Sequence, residues 1–208
     1  MRIALTALLT LATTGLHAEP DWAALESWIE RQQTVRNLEA DFTQTRRLPT
    51  LRVPSRQPGK IWFQSDGRFR FQLGDPPETI AIRDGGTTVT LIDKRQGTTR
   101  TIDESATGPD SRQLLLMRFP ITGSIEEFRE LFDVTRMEEK GKTTELDLVP
   151  RAADFRKNVK RINLEYQTAS GILSNFNVEL TNGGGLETNF THVKVNQPNL
   201  PKSVFETP

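Results

Sequence analysis

From Leu38 onward, apolar residues recur at every second position. Leu38, Ala40 and Phe42 alternate with Glu39, Asp41 and Thr43, the pattern of a strand with one wet face. The same period runs through Ile61 and Phe63, through Phe69, Phe71 and Leu73 against Arg68, Arg70 and Gln72, and through Ile80 and Ile82. Turn formers divide these runs: Pro58-Gly59, Asp66-Gly67, Gly74-Asp75-Pro76-Pro77 and Asp84-Gly85-Gly86. Val89 with Leu91, and Ile102 after Gly97, supply two more strands, so this half of the chain predicts an antiparallel meander.

Elsewhere the period changes to that of a helix. Trp22, Leu25, Trp28 and Ile29 share one face behind Asp21, a good N-cap. In the middle of the chain, Gln113 to Phe119 is a short, strongly apolar helical segment. Ser124 with Glu127 forms a capping box ahead of Ile125, Phe128, Leu131 and Phe132, which share a face. Strands resume at Val134 to Met137 and Glu145 to Val149 across a Gly141-Lys142 turn, followed by a short helix at Ala152 to Lys157. Three further strands carry Ile162, Leu164 and Tyr166, then Ile172 to Leu180, then Leu186 to Val195 after Asn182-Gly183-Gly184-Gly185. The whole predicts an α+β fold: one long curved antiparallel sheet with helices from the start and middle of the chain on its concave side.

The N-terminus changes the compartment rather than the fold. Residues 1–18 run from Met1-Arg2 through an apolar stretch to Leu16-His17-Ala18, the layout of a cleavable secretory signal, leaving 19–208 as a single exported domain. No segment is apolar for the roughly 20 residues of a membrane span. The chain has no cysteine, so it offers neither disulfides nor a lipoprotein acylation site. With 27 Lys and Arg against 27 Asp and Glu, the net charge is zero, which argues against nucleic acid.

Catalytic chemistry is scarce. His192 is the only histidine after the signal and lies in an alternating strand, no G-x-S-x-G elbow is present, and the acids lack calcium-loop spacing. The expectation is a protein that is not an enzyme, with no metal and no cofactor. What the chain has in quantity is apolar lining, including 11 Phe and 3 Trp. A sheet that presents Phe42, Trp62, Phe63, Phe69, Phe71 and Leu73, covered by an apolar helix with Leu114, Leu115 and Met117, is a plausible container for a greasy ligand.

At these residues the chain resembles the LolA family of periplasmic carriers that ferry lipoproteins to the outer membrane. The likeness rests on Phe42-Thr43-Gln44, Gly59-x-Ile61-Trp62-Phe63, Gly67-Arg68-Phe69-Arg70-Phe71, Pro77-Glu78-Thr79-Ile80 with Asp84-Gly85, the apolar segment at Leu114 to Met117, Leu148-Val149-Pro150, and Asn199 to Pro208 with Phe205. Their order and spacing cover nearly the whole mature chain. The resemblance implies an incomplete, unclosed β-barrel with a helical lid over an apolar cavity that binds acyl chains. It further implies acylated lipoproteins as cargo, an inner-membrane lipoprotein-releasing ABC transporter as donor, an outer-membrane lipoprotein as acceptor and a periplasmic location; a carrier with a sheet this well punctuated by turns need be no more than a monomer. A carrier of another lipid, or a periplasmic sensor of the same fold, is the alternative. In the family an Arg-Pro after the second strand latches the lid; Ser65-Asp66 stand there in this chain, and Arg68 and Arg70 are the substitutes considered.

Overall fold

A computed structural model describes residues 20–103, 124–198 and 200–207. The expected signal and the apolar segment with Leu114, Leu115 and Met117 lie outside the described residues. Helix α1 (Trp22–Gln33) leads into β1 (Asn37–Arg47), β2 (Ser55–Gln64), β3 (Phe69–Leu73), β4 (Thr79–Arg83), β5 (Thr88–Asp93) and β6 (Thr98–Asp103). After α2 (Ile125–Leu131) come β7 (Phe132–Lys140), β8 (Thr143–Pro150), α3 (Ala153–Arg156), β9 (Val159–Gln167), β10 (Leu173–Leu180) and β11 (Gly185–Val195), then a 3₁₀ turn at Lys202–Phe205.

The eleven strands of the described residues form one antiparallel sheet in the order β6-β5-β4-β3-β2-β1-β11-β10-β9-β8-β7. Two meanders, β1 to β6 and β7 to β11, are therefore joined through the pairing of the first strand with the last. Phe42 stands opposite Phe190 and Arg46 opposite Leu186 across this seam. Among the described residues strands β6 and β7 are the two edges, so the sheet is open there and the fold is the unclosed α+β barrel expected.

The helix signals act as anticipated. Asp21 accepts the N–H of Ala24 at 3.0 Å, and Ser124 and Glu127 close their capping box. The second helix is shorter than its apolar spacing suggested: Phe132 has extended backbone and opens β7, pairing with Pro150. Its ring is then buried against Phe128 and Phe155 from the strand rather than from the helix.

Pro58-Gly59 is likewise no turn but lies inside β2. Pro58 directs its carbonyl to the N–H of Gly74 at 2.8 Å, so its missing N–H falls on the same side, beyond the end of β3, and no bond to β1 is lost.

Two separate apolar clusters share the inner face of the sheet. One joins α1, α2 and α3 to β8, β9 and β10, around Trp28, Leu146, Ile162, Leu164 and Tyr166. The other belongs to β1 through β6, around Ala40, Phe42, Phe63, Phe71 and Ala81. Phe190 on β11 touches both. On the outer face of β7 to β10, exposed charges form a ladder in which Glu179 accepts from Lys160 at 2.6 Å and from Arg161 at 3.0 Å, which holds its carboxyl below the ordinary glutamate range. Such exposed pairs contribute little to stability.

Candidate functional site

Where the two clusters meet, along β1 and β11, they do not fill the space between them. A cavity of about 670 Å³ opens there, within the size range of small-molecule sites. The seam explains it: Ala40 and Thr188, which line the cavity, are small inward residues on the central strands. The waist of the cavity is apolar, with Ala40, Ile61 and Phe71 from one cluster and Phe176, Val178 and Phe190 from the other half of the sheet. Both ends are polar. Arg31, Gln32 and Thr34 stand at the C-terminal end of α1, and Gln44, Arg46, Ser55 and Gln57 lie toward the β1–β2 hairpin tip.

Those polar ends differ in how they are satisfied. Arg31 is turned away to the carbonyls of Thr168 and Ala169, at 3.3 and 3.2 Å. At the other end Gln44 donates to Thr188 at 3.4 Å and Gln57 to Glu78 at 3.0 Å, while Arg46 has no ion-pair partner among the described residues.

Phe71 and Leu73 line the cavity. Phe42 lies lower, buried and stacked on Phe71 with ring centroids 4.9 Å apart, and edge-on to Phe190 at 6.1 Å. Its ring occupies the space over Gly59, where an added Cβ would come within 2.2 Å of Phe42 Cζ and 2.7 Å of the Gln72 carbonyl oxygen. Gly59→Ala therefore has to lift the Phe42 ring. The expected result is a loss of about 1–3 kcal/mol by overpacking, with reduced cavity volume. Urea unfolding monitored beside acyl-probe binding checks it; a variant as stable as the parent would show that the ring has another place to go.

Phe63 and Phe69 are buried in the same cluster, beside the cavity rather than in its lining. Trp62 is on the outer face, with Lys60 Nζ 5.5 Å from its ring centroid. Arg68 and Arg70 also serve the outer side. Arg68 binds Asp66 and sits over the Phe205 ring at 5.6 Å. Arg70 donates to the carbonyls of Val204 and Glu206 at 3.1 and 3.2 Å, and burial lowers the pKa of its guanidinium. Both guanidiniums thus tie down the C-terminal segment, and the lid they were considered to latch lies outside the described residues.

Phe176, Val178, Phe190 and Val193 were missed as lining. The alternation of Phe176 with Val178 is visible in the sequence, but strict alternation puts His192 on the face of Phe190. A bulge there, with His192 at φ +50°, turns His192 out and Val193 in, and nothing local says that β11 returns to lie beside β1. His192 is exposed on the outer side with Nδ1 3.1 Å from Asp41, and no group of three or more His, Asp or Glu is placed to hold a metal among the described residues.

Residues 33–208 match the family model described as outer membrane lipoprotein carrier protein LolA. An outer-membrane lipoprotein carrier protein of Legionella pneumophila (strain Corby) is 28% identical over 201 residues, 96% of this chain and 91% of that protein. Among solved structures, a LolA superfamily protein from Nitrosomonas europaea matches at 8% identity with a TM-score of 0.43, over 87% of this chain and 96% of that one. The lipoprotein LppX of Mycobacterium tuberculosis matches at 10% identity and a TM-score of 0.44, over 86% and 96%.

Proposed function

This chain belongs to the LolA family of outer membrane lipoprotein carrier proteins, and from that premise we propose that it is a periplasmic carrier whose seam cavity takes the acyl chains of lipoproteins. The observation that supports the reading is the cavity itself: an apolar waist between two core clusters, open to the face of an unclosed sheet and polar at its ends. A chain of about sixteen carbons, at ~0.8 kcal/mol per buried CH₂, costs on the order of 13 kcal/mol to expose to water. A protein bearing two or three such chains does not cross an aqueous compartment unaided.

In this reading Phe71, Leu73, Phe176 and Phe190 hold the chains, and Gln44, Ser55 and Gln57 meet the ester and amide groups at the end of them. No step requires bond making, and the family is one of carriers. Cargo comes from an inner-membrane lipoprotein-releasing transporter and passes to an outer-membrane acceptor. Among the described residues no helix is long and apolar enough to cross a membrane.

The test is release of newly made lipoproteins from spheroplasts or inner-membrane vesicles by the purified mature protein. ATP-dependent appearance of a soluble complex of carrier and lipoprotein is the expected result. If no release occurs while a fluorescent fatty acid still binds, the cargo is another lipid. If neither occurs, the carrier reading fails.

A further inference from the structure

We propose that the tip of the β1–β2 hairpin is a membrane-docking element that seats on an anionic bilayer and brings one end of the cavity to its surface. Of the three large apolar side chains that stand exposed among the described residues, two are here: Leu51 at 52% and Val53 at 75% exposure. They crown a seven-residue loop between Arg47 and Ser55, stiffened by Pro49 and Pro54 and folded by the Leu51 N–H on the Leu48 carbonyl at 3.0 Å.

The charge around them is one-sided. From Phe42 to Ser65 the chain carries Arg46, Arg47, Arg52, Arg56 and Lys60 and not a single Asp or Glu, in a protein whose total charge is balanced. Lys60 is taken up by Glu39 and Asp41, at 3.7 and 3.3 Å, and Arg47 by Glu187 at 3.5 Å. Arg46, Arg52 and Arg56 have no such partner among the described residues. Exposed aliphatic side chains ringed by free guanidiniums are what an anionic head-group layer accepts, the apolar tips entering it and the cations remaining at the phosphates.

Size decides against a protein partner for this tip. A stable protein interface takes roughly 800 Å² from each side, which two side chains on a narrow loop cannot supply. A bilayer needs only a few inserted side chains plus Coulomb attraction. Position gives the docking a use, because Arg46, Arg47, Ser55 and Gln57 at the base of the same hairpin line the polar end of the cavity. The element goes beyond the carrier reading: bilayer binding by the tip requires no cargo.

The experiment is sedimentation of the mature protein with vesicles of phosphatidylcholine containing about a third phosphatidylglycerol, and with pure phosphatidylcholine, at roughly 0.05 and 0.5 M salt. Binding to the anionic vesicles that weakens with salt is expected. Leu51→Ser with Val53→Ser is expected to lower the partition coefficient at least tenfold, and Arg52→Gln with Arg56→Gln by about fivefold for each charge removed. Fluorescent fatty-acid uptake by the Leu51→Ser/Val53→Ser variant stays at the parent level, so loss of docking is separable from loss of the cavity. Failure of the parent to bind anionic vesicles at low salt overturns the proposal. So does unchanged binding by the serine variant, or capture by soluble polyglutamate as strong as by vesicles.

Discussion

Leu73→Glu is expected to weaken acyl-chain binding by about a hundredfold or more and to leave the protein folded. Leu73 is half-buried at the end of β3 and lines the cavity, and its cross-strand neighbours are Gly59 and Thr79, neither of them basic. With the cavity empty, a carboxylate there is reached by water. Once an acyl chain covers it, the charge is stripped of water with no partner, which costs several kcal/mol. Each 1.4 kcal/mol is a factor of ten, so affinity falls by about a hundredfold or more. The sign of the pH effect follows from the same cause. Desolvation under the ligand raises the carboxyl pKa in the complex, so the variant recovers binding as pH is lowered and the acid goes in neutral. Titration with a fluorescent fatty acid at neutral and mildly acidic pH, alongside near-UV circular dichroism, measures both. Parent-like affinity in the variant would remove Leu73 from the acyl path.

Trp28→Ala is expected to cost the fold about 3–5 kcal/mol, the range for emptying a large buried aromatic site. The indole is fully buried, stacked on Tyr166 with centroids 4.7 Å apart and planes 19° from parallel. Its Nε1–H donates to the Gly171 carbonyl at 3.0 Å. Gly171 is at φ +72°, where a side chain is disfavoured, and an added Cβ would sit 3.4 Å from Trp28 Cδ1 and 3.0 Å from Gln32 Nε2. This one side chain therefore fastens α1 to β9 and to the β9–β10 turn. Removing it leaves a void and takes away one of the two donors of the Gly171 carbonyl, which keeps Gln32 Nε2 at 3.0 Å, and lowers Tm by on the order of 10 °C. Tyr166 is the only tyrosine, and burial raises its phenol pKa against the opposing hydrogen bond from Thr144. In Trp28→Ala water reaches the ring, and the phenol titrates closer to its ordinary value. A destabilisation below about 1 kcal/mol would show that α1 is held by something else.

The local grammar of this chain determined its elements. The period of two set the strands and the side most residues face, because successive side chains of a strand point oppositely; the bulge at His192, which brings Val193 to the side of Phe190, is the exception it did not announce. Asp21 and the Ser124–Glu127 box set the helix starts, because they satisfy backbone N–H groups within three residues. A periodic face reports orientation but not depth. Phe42, Phe69 and Phe71 alternate identically, yet Phe71 lines the cavity while Phe42 lies beneath it, because only Gly59 on the neighbouring strand leaves room for that ring.

Tertiary structure alone decided that β11 closes onto β1, some 150 residues away in the chain, since strand partners are chosen by the total burial of the sheet and not by any local spacing. That pairing set two core clusters side by side with small residues between them, and the cavity is the space they leave.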